Sequence, residues 1–330
     1  MNKKSKRKAN LKASILVLLL LAILLMASTY AWFTSNTQVT ISTLNVNVEA
    51  KNGLQISADG TNWKTILETA DIDPTTVAAT YPGNTNQIPT IMEPVSSAGN
   101  VNTADGTLNM FYGMVEADET SGKWELKATK ETDAKGTVGK YIAFDIFLRV
   151  DTESQLSLTQ ASGVSDLNAS GKGLENATRV AFVVEGNQPV GTDLTTIQGL
   201  KDATDDTTYI WEPNSDAHTA AAQANANDNY GVPITVGDNG ATKVKHYGIK
   251  APIDDGIELI NTHTGASPDY FTQVDTIQTS KTMSDTELLT LSPGITKVRV
   301  YMWVEGQDFD CDNSASGSNL SFDLQFSVPA

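Results

Sequence analysis

Strict alternation of apolar and polar residues is the strongest pattern in this chain of 330 residues. Leu320, Phe322, Leu324, Phe326 and Val328 alternate with Ser321, Asp323, Gln325 and Ser327, the two-residue period of a strand with one buried face. Val298, Val300, Met302 and Val304 alternate with Arg299, Tyr301 and Trp303. Ile142, Phe144, Ile146, Leu148 and Val150 alternate with Ala143, Asp145, Phe147 and Arg149, giving one apolar face and one mixed face. Met110 to Val115, Trp124 to Ala128, Val180 to Val184 and Phe271 to Thr279 are weaker strand candidates. Asp59-Gly60 lies between Leu54-Gln55-Ile56-Ser57 and Trp63-Lys64-Thr65-Ile66, a hairpin signal because glycine accepts the positive φ of a tight turn. Strands with one apolar face need a partner sheet, so the pattern predicts an all-β fold, a β-sandwich of jelly-roll type.

Helical periodicity is nearly missing after the first 31 residues, with short helices expected only within 191–203 and 217–226. Long polar stretches at 71–107, 160–175, 186–208 and 214–229 separate the strands. Stretches of that length in a compact domain carry small elements or leave the sandwich as excursions. The predicted organisation is a leader over 1–31 and a sandwich over 32–330, with insertions at about 71–107 and 186–230.

The leader opens with Lys3, Lys4, Lys6, Arg7, Lys8 and Lys12, followed by an almost unbroken apolar run from Ala13 to Ala27. A basic start, a short apolar helix and small residues behind it are the physical signature of an export signal. Thr29 and Ala31 occupy the small positions before a cut between Ala31 and Trp32. The run is shorter than the roughly 20 residues of a bilayer span, which favours removal. Retention as a membrane anchor stays open, because Ser28 to Phe33 extend the run to about a full span. Either way the expected location is extracellular, secreted or at the cell surface, with the membrane met only through the leader.

Behind the leader Val39 and Ile41 share one parity, and Leu44, Val46 and Val48 share the other. A bulge near Ser42-Thr43 would return them to a common face. The plain reading is the first strand of the sandwich. The functional reading is a donor strand that pairs with the sheet edge of a neighbour, main-chain bonds giving affinity and alternate side chains specificity. Such a head-to-tail contact need not close, and can run on into a fibre.

Thr29-Tyr30-Ala31-Trp32-Phe33 and the strand ending Leu44-Asn45-Val46-Asn47-Val48 resemble the processed leader and first strand of the TasA/camelysin family of exported bacterial proteins. In that family a small-aromatic-Ala sequence precedes the cut, and a Gly-Thr-Leu-Asp-Leu strand follows soon after. Here Ser42 stands in place of the family's glycine. Tyr81-Pro82-Gly83-Asn84 and Leu291-Ser292-Pro293-Gly294 are each similar to the family's Pro-Gly turn. The resemblance covers the first 50 residues. It implies a jelly-roll biofilm matrix protein, cut by a dedicated signal peptidase and assembling by donor-strand exchange with itself or related matrix subunits into extracellular fibres.

A net charge of −16, made more negative when the six basic residues of the leader depart, repels nucleic acid and anionic lipid and attracts cations. Cys311 is the only cysteine, so no internal disulfide can form. Its acidic neighbours in Asp308-Phe309-Asp310-Cys311-Asp312 discourage a thiolate, which points to an inert structural thiol.

Catalytic signals are sparse. His218, His246 and His263 have no zinc-site spacing, and no residues carry the metallopeptidase activity ascribed to the camelysin branch. The expectation is therefore a protein that is not an enzyme. Asp308, Asp310 and Asp312 place hard oxygen ligands at alternating positions, as calcium loops do. The match to an EF-hand fails at Asn313 and Asn319, and a solvated acidic turn between strands is the plainer reading. Beyond calcium at that loop, no cofactor is implied. Trp63, Trp124, Trp211 and Trp303 are scattered, which suits core packing better than a glycan platform.

The sequence thus predicts an exported structural protein of the cell surface or matrix, assembling non-covalently through its first strand. The alternative is a monomeric surface module that binds glycan or a host protein through its loops.

Overall fold

The computed structural model describes residues 39–48, 54–118, 120, 122, 124–202, 204, 207–224, 246–258, 269–311 and 317–329, the segment 39–48 by its backbone. The leader, the expected cut between Ala31 and Trp32, His263 and Asp312 lie outside the described residues. Among those described, no helix is long and apolar enough to cross a membrane.

The chain is all-β in character, and two large sheets face each other. One runs Thr286–Leu291, Ser154–Leu158, Asn319–Ser327, Val39–Val48, Ile66–Glu68, with Gly163–Asp166 also on Asn319–Ser327 and Ile91–Met92 also on Val39–Val48. The other runs Ile277–Gln278, Thr208–Glu212, Thr178–Gln188, Gly294–Val304, Ile142–Val150, Gln55–Ser57. The alternating residues do what their period demands. Leu320, Phe322, Leu324 and Phe326 are fully buried and join one core with Ile142, Phe144, Ile146, Leu148, Val298, Val300 and Met302 of the opposite sheet. Phe182 and Phe326 meet edge to face across the interface, with centroids 5.8 Å apart.

The second sheet is buried on both faces, which alternation alone does not reveal. Every residue of Gly294–Val304 is buried. Ala143, Ala181, Val183, Tyr301 and Trp303, on the face turned away from the sandwich core, pack under Val95, Val101, Leu108, Met110 and Val274. A third layer covers that face. It contains the sheet of Met110–Ala117, Trp124–Glu131 and Ile253–Glu258, and the pair His246–Ile249 with Phe271–Val274. Phe111, Leu126, Ile249, Ile253, Phe271 and Phe309 give this layer its own core.

Asp59-Gly60 forms its turn: Ile56 and Lys64 exchange both main-chain bonds, at 3.1 and 2.8 Å, and Gly60 takes a φ of 76°. The arms then part, Gln55–Ser57 entering one sheet and Ile66–Glu68 the other, so the hairpin closes an end of the sandwich. Phe271 to Thr279 is two strands, Phe271–Val274 and Ile277–Gln278, in different sheets. The polar stretches hold small elements: helices Thr69–Ile72 and Pro74–Val77 in the first, strand Gly163–Asp166 in the second, helix Leu194–Gln198 in the third. That last helix is capped by Asp193, whose carboxylate accepts the Thr196 N–H at 3.3 Å. The segment expected as a helix over 217–226 is helical from 220 to 224.

Phe322→Ala should lower unfolding stability by about 3–5 kcal/mol, because it opens a cavity between the sheets. Val138→Ala, at a position 62% exposed, should leave stability within about 0.5 kcal/mol. Denaturant titration of both variants checks the pair.

Candidate functional site

The first strand sits inside its sheet, between the last strand and two short ones. It pairs parallel with Asn319–Ser327 and antiparallel with Ile66–Glu68 and Ile91–Met92. Ile41 is in register with Leu320; the register then shifts between Ile41 and Thr43, and Leu44, Val46 and Val48 fall opposite Phe322, Leu324 and Phe326. The shift is the expected bulge near Ser42-Thr43. Its effect is physical: one extra residue sets Ile41, Leu44, Val46 and Val48 each opposite a fully buried residue of its neighbour. On the other side Val46 is opposite Leu67 and Val39 opposite Met92, both buried. The five candidate donor positions, Val39, Ile41, Leu44, Val46 and Val48, therefore lie along one slot. The other side of Asn319–Ser327 is already paired, with Ser154–Leu158 and Gly163–Asp166.

The acidic turn after Gly294–Val304 is buried, which corrects the expectation of a solvated turn. Asp308 is 7% exposed and Asp310 1%. The Arg179 guanidinium explains how Asp308 tolerates this, with Nη2 2.7 Å from Asp308 Oδ2 and 3.1 Å from Glu212 Oε1. Asp310 is held by His218 Nδ1 at 2.6 Å and by the Thr219 N–H at 2.9 Å. Gly173, at φ 81°, lets the chain pass close by: a Cβ there would lie 2.8 Å from Asp310 Oδ1 and collide with Thr219 Cγ2. Burial pushes the Asp310 carboxyl up, against the His218 bond that pulls it down. For His218, burial pushes the imidazole down, but the bond to Asp310 and the charges of Asp308, Asp310 and Glu212 outweigh it and raise it.

His218, Asp308 and Asp310 could each offer one ligand atom to a common ion, since those atoms lie within 4.8 Å of one another. Arg179 works against a calcium ion, because its guanidinium is already bonded to Asp308 and would repel a second cation. The arrangement is a network of opposite charges that braces the turn against strand Thr178–Gln188. Arg179, Glu212 and His218 were not legible as partners, since they come from distant parts of the sequence. Cys311 is fully buried in the sandwich core.

A second buried network lies on the outer face of the middle sheet. Arg299 donates from Nη1 to Asp145 at 2.8 Å, and from Nε and Nη2 to Asp133 at 2.9 and 2.6 Å. Tyr81 donates to Asp145 Oδ2 at 2.9 Å, and Lys297 Nζ stands 3.5 Å from the same oxygen. Burial pushes Asp145 up, but Lys297 and Arg299 outweigh it and hold the carboxyl below its ordinary value. Glu185, on the neighbouring strand, is pushed up to about 8 by burial, against the pull of Lys297. Trp211 and Trp303 are fully buried, whereas Trp63 packs against the sandwich core and Trp124 against the third-layer core.

Two outcomes follow. Deleting Ser42 removes the bulge and offsets Leu44, Val46 and Val48 by one position, so it should destabilise the protein far more than Ser42→Gly does, read as denaturation midpoints. His218 has a folded value above its ordinary 6.5, so the stability it contributes is complete below that pH and fades as pH rises through the folded value. His218→Gln should therefore flatten the fall in unfolding free energy as pH rises above 6.5 in a pH series of urea titrations.

Set against known protein families, curated proteins and solved structures, the chain matches none.

Proposed function

We propose that this chain is an exported structural protein of the cell surface or extracellular matrix. In this reading, two sheets in the jelly-roll arrangement form the subunit, and its first strand completes the sandwich of a neighbour as it completes its own. The observation that carries the reading is the slot: the N-terminal strand lies mid-sheet, its apolar positions in register with those of the last strand and with Leu67 and Met92 on the other side.

The physical case is one of equal contacts. A strand taken from a second copy would make the same main-chain bonds and bury the same surface as the chain's own strand. Exchange therefore trades one set of contacts for an identical set and leaves concentration to decide. The strand is also the element nearest the export signal, so it is tied to the rest of the domain through residues 49–53 alone. Each donor would leave its own slot to be filled by the next copy, and such a head-to-tail series has no built-in end. The negative net charge opposes close approach of subunits, so salt should favour assembly by screening it.

The test compares protein beginning at Trp32 with protein lacking residues 32–48. Fibres seen by electron microscopy for the longer form alone support the reading, as does recovery of the shorter form's thermal stability on adding a peptide of residues 39–48. Equal fibre formation by the two would sink it.

A further inference from the structure

Three ionisable residues lie on three adjacent strands of the middle sheet: Asp145 on Ile142–Val150, Lys297 on Gly294–Val304 and Glu185 on Thr178–Gln188. All are buried, Asp145 to 1%, Glu185 to 5% and Lys297 to 7% exposure. Glu185 occupies the bulge where the register slips between Val184 and Gly186, and Gly186 is the residue opposite Lys297. Lys297 Nζ donates to the Leu200 and Gln198 carbonyls at 2.8 and 3.2 Å and lies 3.5 Å from Asp145 Oδ2. Around them stand Tyr81 and Phe147, packed edge to face with centroids 5.9 Å apart; the Tyr81 ring is 5.9 Å from Nζ.

We propose that Lys297 and Asp145 condense into an intramolecular amide, so that two neighbouring strands of the protein are covalently joined. Several features of the site favour this. A lysine and an aspartate held in contact within a folded sheet have the proximity that turns a slow bimolecular condensation into an intramolecular one. A buried ion pair bears a desolvation penalty on both partners, whereas the amide that replaces it is neutral. Arg299 Nη1, 2.8 Å from Asp145 Oδ1, is placed to stabilise negative charge on that oxygen as the carbonyl carbon becomes tetrahedral. Tyr81 donates to Oδ2, the oxygen nearest Lys297 and the one that leaves.

The balance closes without any other reagent. The Lys297 ammonium passes one proton to Asp145 Oδ2, 3.5 Å away, leaving a free amine beside a carboxylic acid. The free amine attacks Asp145 Cγ, the Nζ–Cγ bond forms, and negative charge passes to Oδ1. The Cγ–Oδ2 bond then breaks, and Oδ2 leaves as water with a second proton from the nitrogen. Ammonium and carboxylate have become amide and water. No oxidant is needed, and a chain with a single cysteine acquires the cross-link that it cannot make from thiols.

The experiment is an intact-mass measurement on the purified, folded full-length chain after denaturation. A mass lower by one water, with a tryptic fragment that joins the peptides containing Asp145 and Lys297, is the expected result. Lys297→Arg should restore the full mass while far-UV circular dichroism shows a folded protein. Wild-type protein at its full unmodified mass overturns the proposal whatever the variant does, as does a loss of water that persists in Lys297→Arg.

Discussion

The strand Gly294–Val304 is buried on both sides along its whole length, and the rest of the architecture answers to that constraint. A strand in a two-layer sandwich can send its polar residues to water. This one cannot, because a third layer lies over the second face. Its apolar set, Val298, Val300, Met302 and Val304, faces the sandwich core. Lys297, Arg299, Tyr301 and Trp303 must then find partners inside the protein, since an unpaired buried charge is far more costly than a paired one. Asp133, Asp145, Glu305 and the Gln198 and Leu200 carbonyls are those partners. Arg299 alone engages two carboxylates and the Thr85 carbonyl, and the indole of Trp303 donates to Glu305 at 3.0 Å.

The same demand explains the second network. Thr178–Gln188 runs beside Gly294–Val304 and carries Arg179 into the interior. There Asp308 and Glu212 neutralise it, and the turn that follows Val304 is drawn inward with them. An acidic run that reads as solvated by composition is thus buried because a cation from another strand needs it. The two networks are structural before they are anything else. Each pins loops from distant parts of the chain onto the central sheet, and removing one partner would strand the others away from water.

How much of this was legible follows from which signals are local. The period of Leu320 to Val328 named a one-sided strand, and the parity break between Ile41 and Leu44 named a bulge, because both are written in neighbouring residues. The Asp59-Gly60 turn was legible for the same reason. Alternation in Val298 to Val304 was equally clear but said nothing about what covers the polar face. Arg299 beside Tyr301 and Trp303 looks identical under water or under a third layer. Ser154–Leu158, Gly163–Asp166 and Thr286–Leu291 escaped notice because short strands among polar residues have too few alternations to stand out. The partnership of His218 with Asp310 joins residues far apart in sequence, and no spacing rule connects them.

These features divide the molecule into parts with different mechanical roles. The central sheet is held by two apolar cores and by charges that have nowhere else to go, so it is the part least able to open. The first strand belongs to the outer sheet, and no further strand is needed to hold its far end beyond Ile66–Glu68 and Ile91–Met92, which pair with it over three positions and two. A terminal strand can move between subunits only if what it leaves behind stays folded. Here the sheet opposite the slot is braced from its own outer face, independently of the first strand. If the first strand is exchanged as proposed, the third layer, which makes the fold larger and more elaborate than a plain sandwich, is what would keep the lending subunit folded.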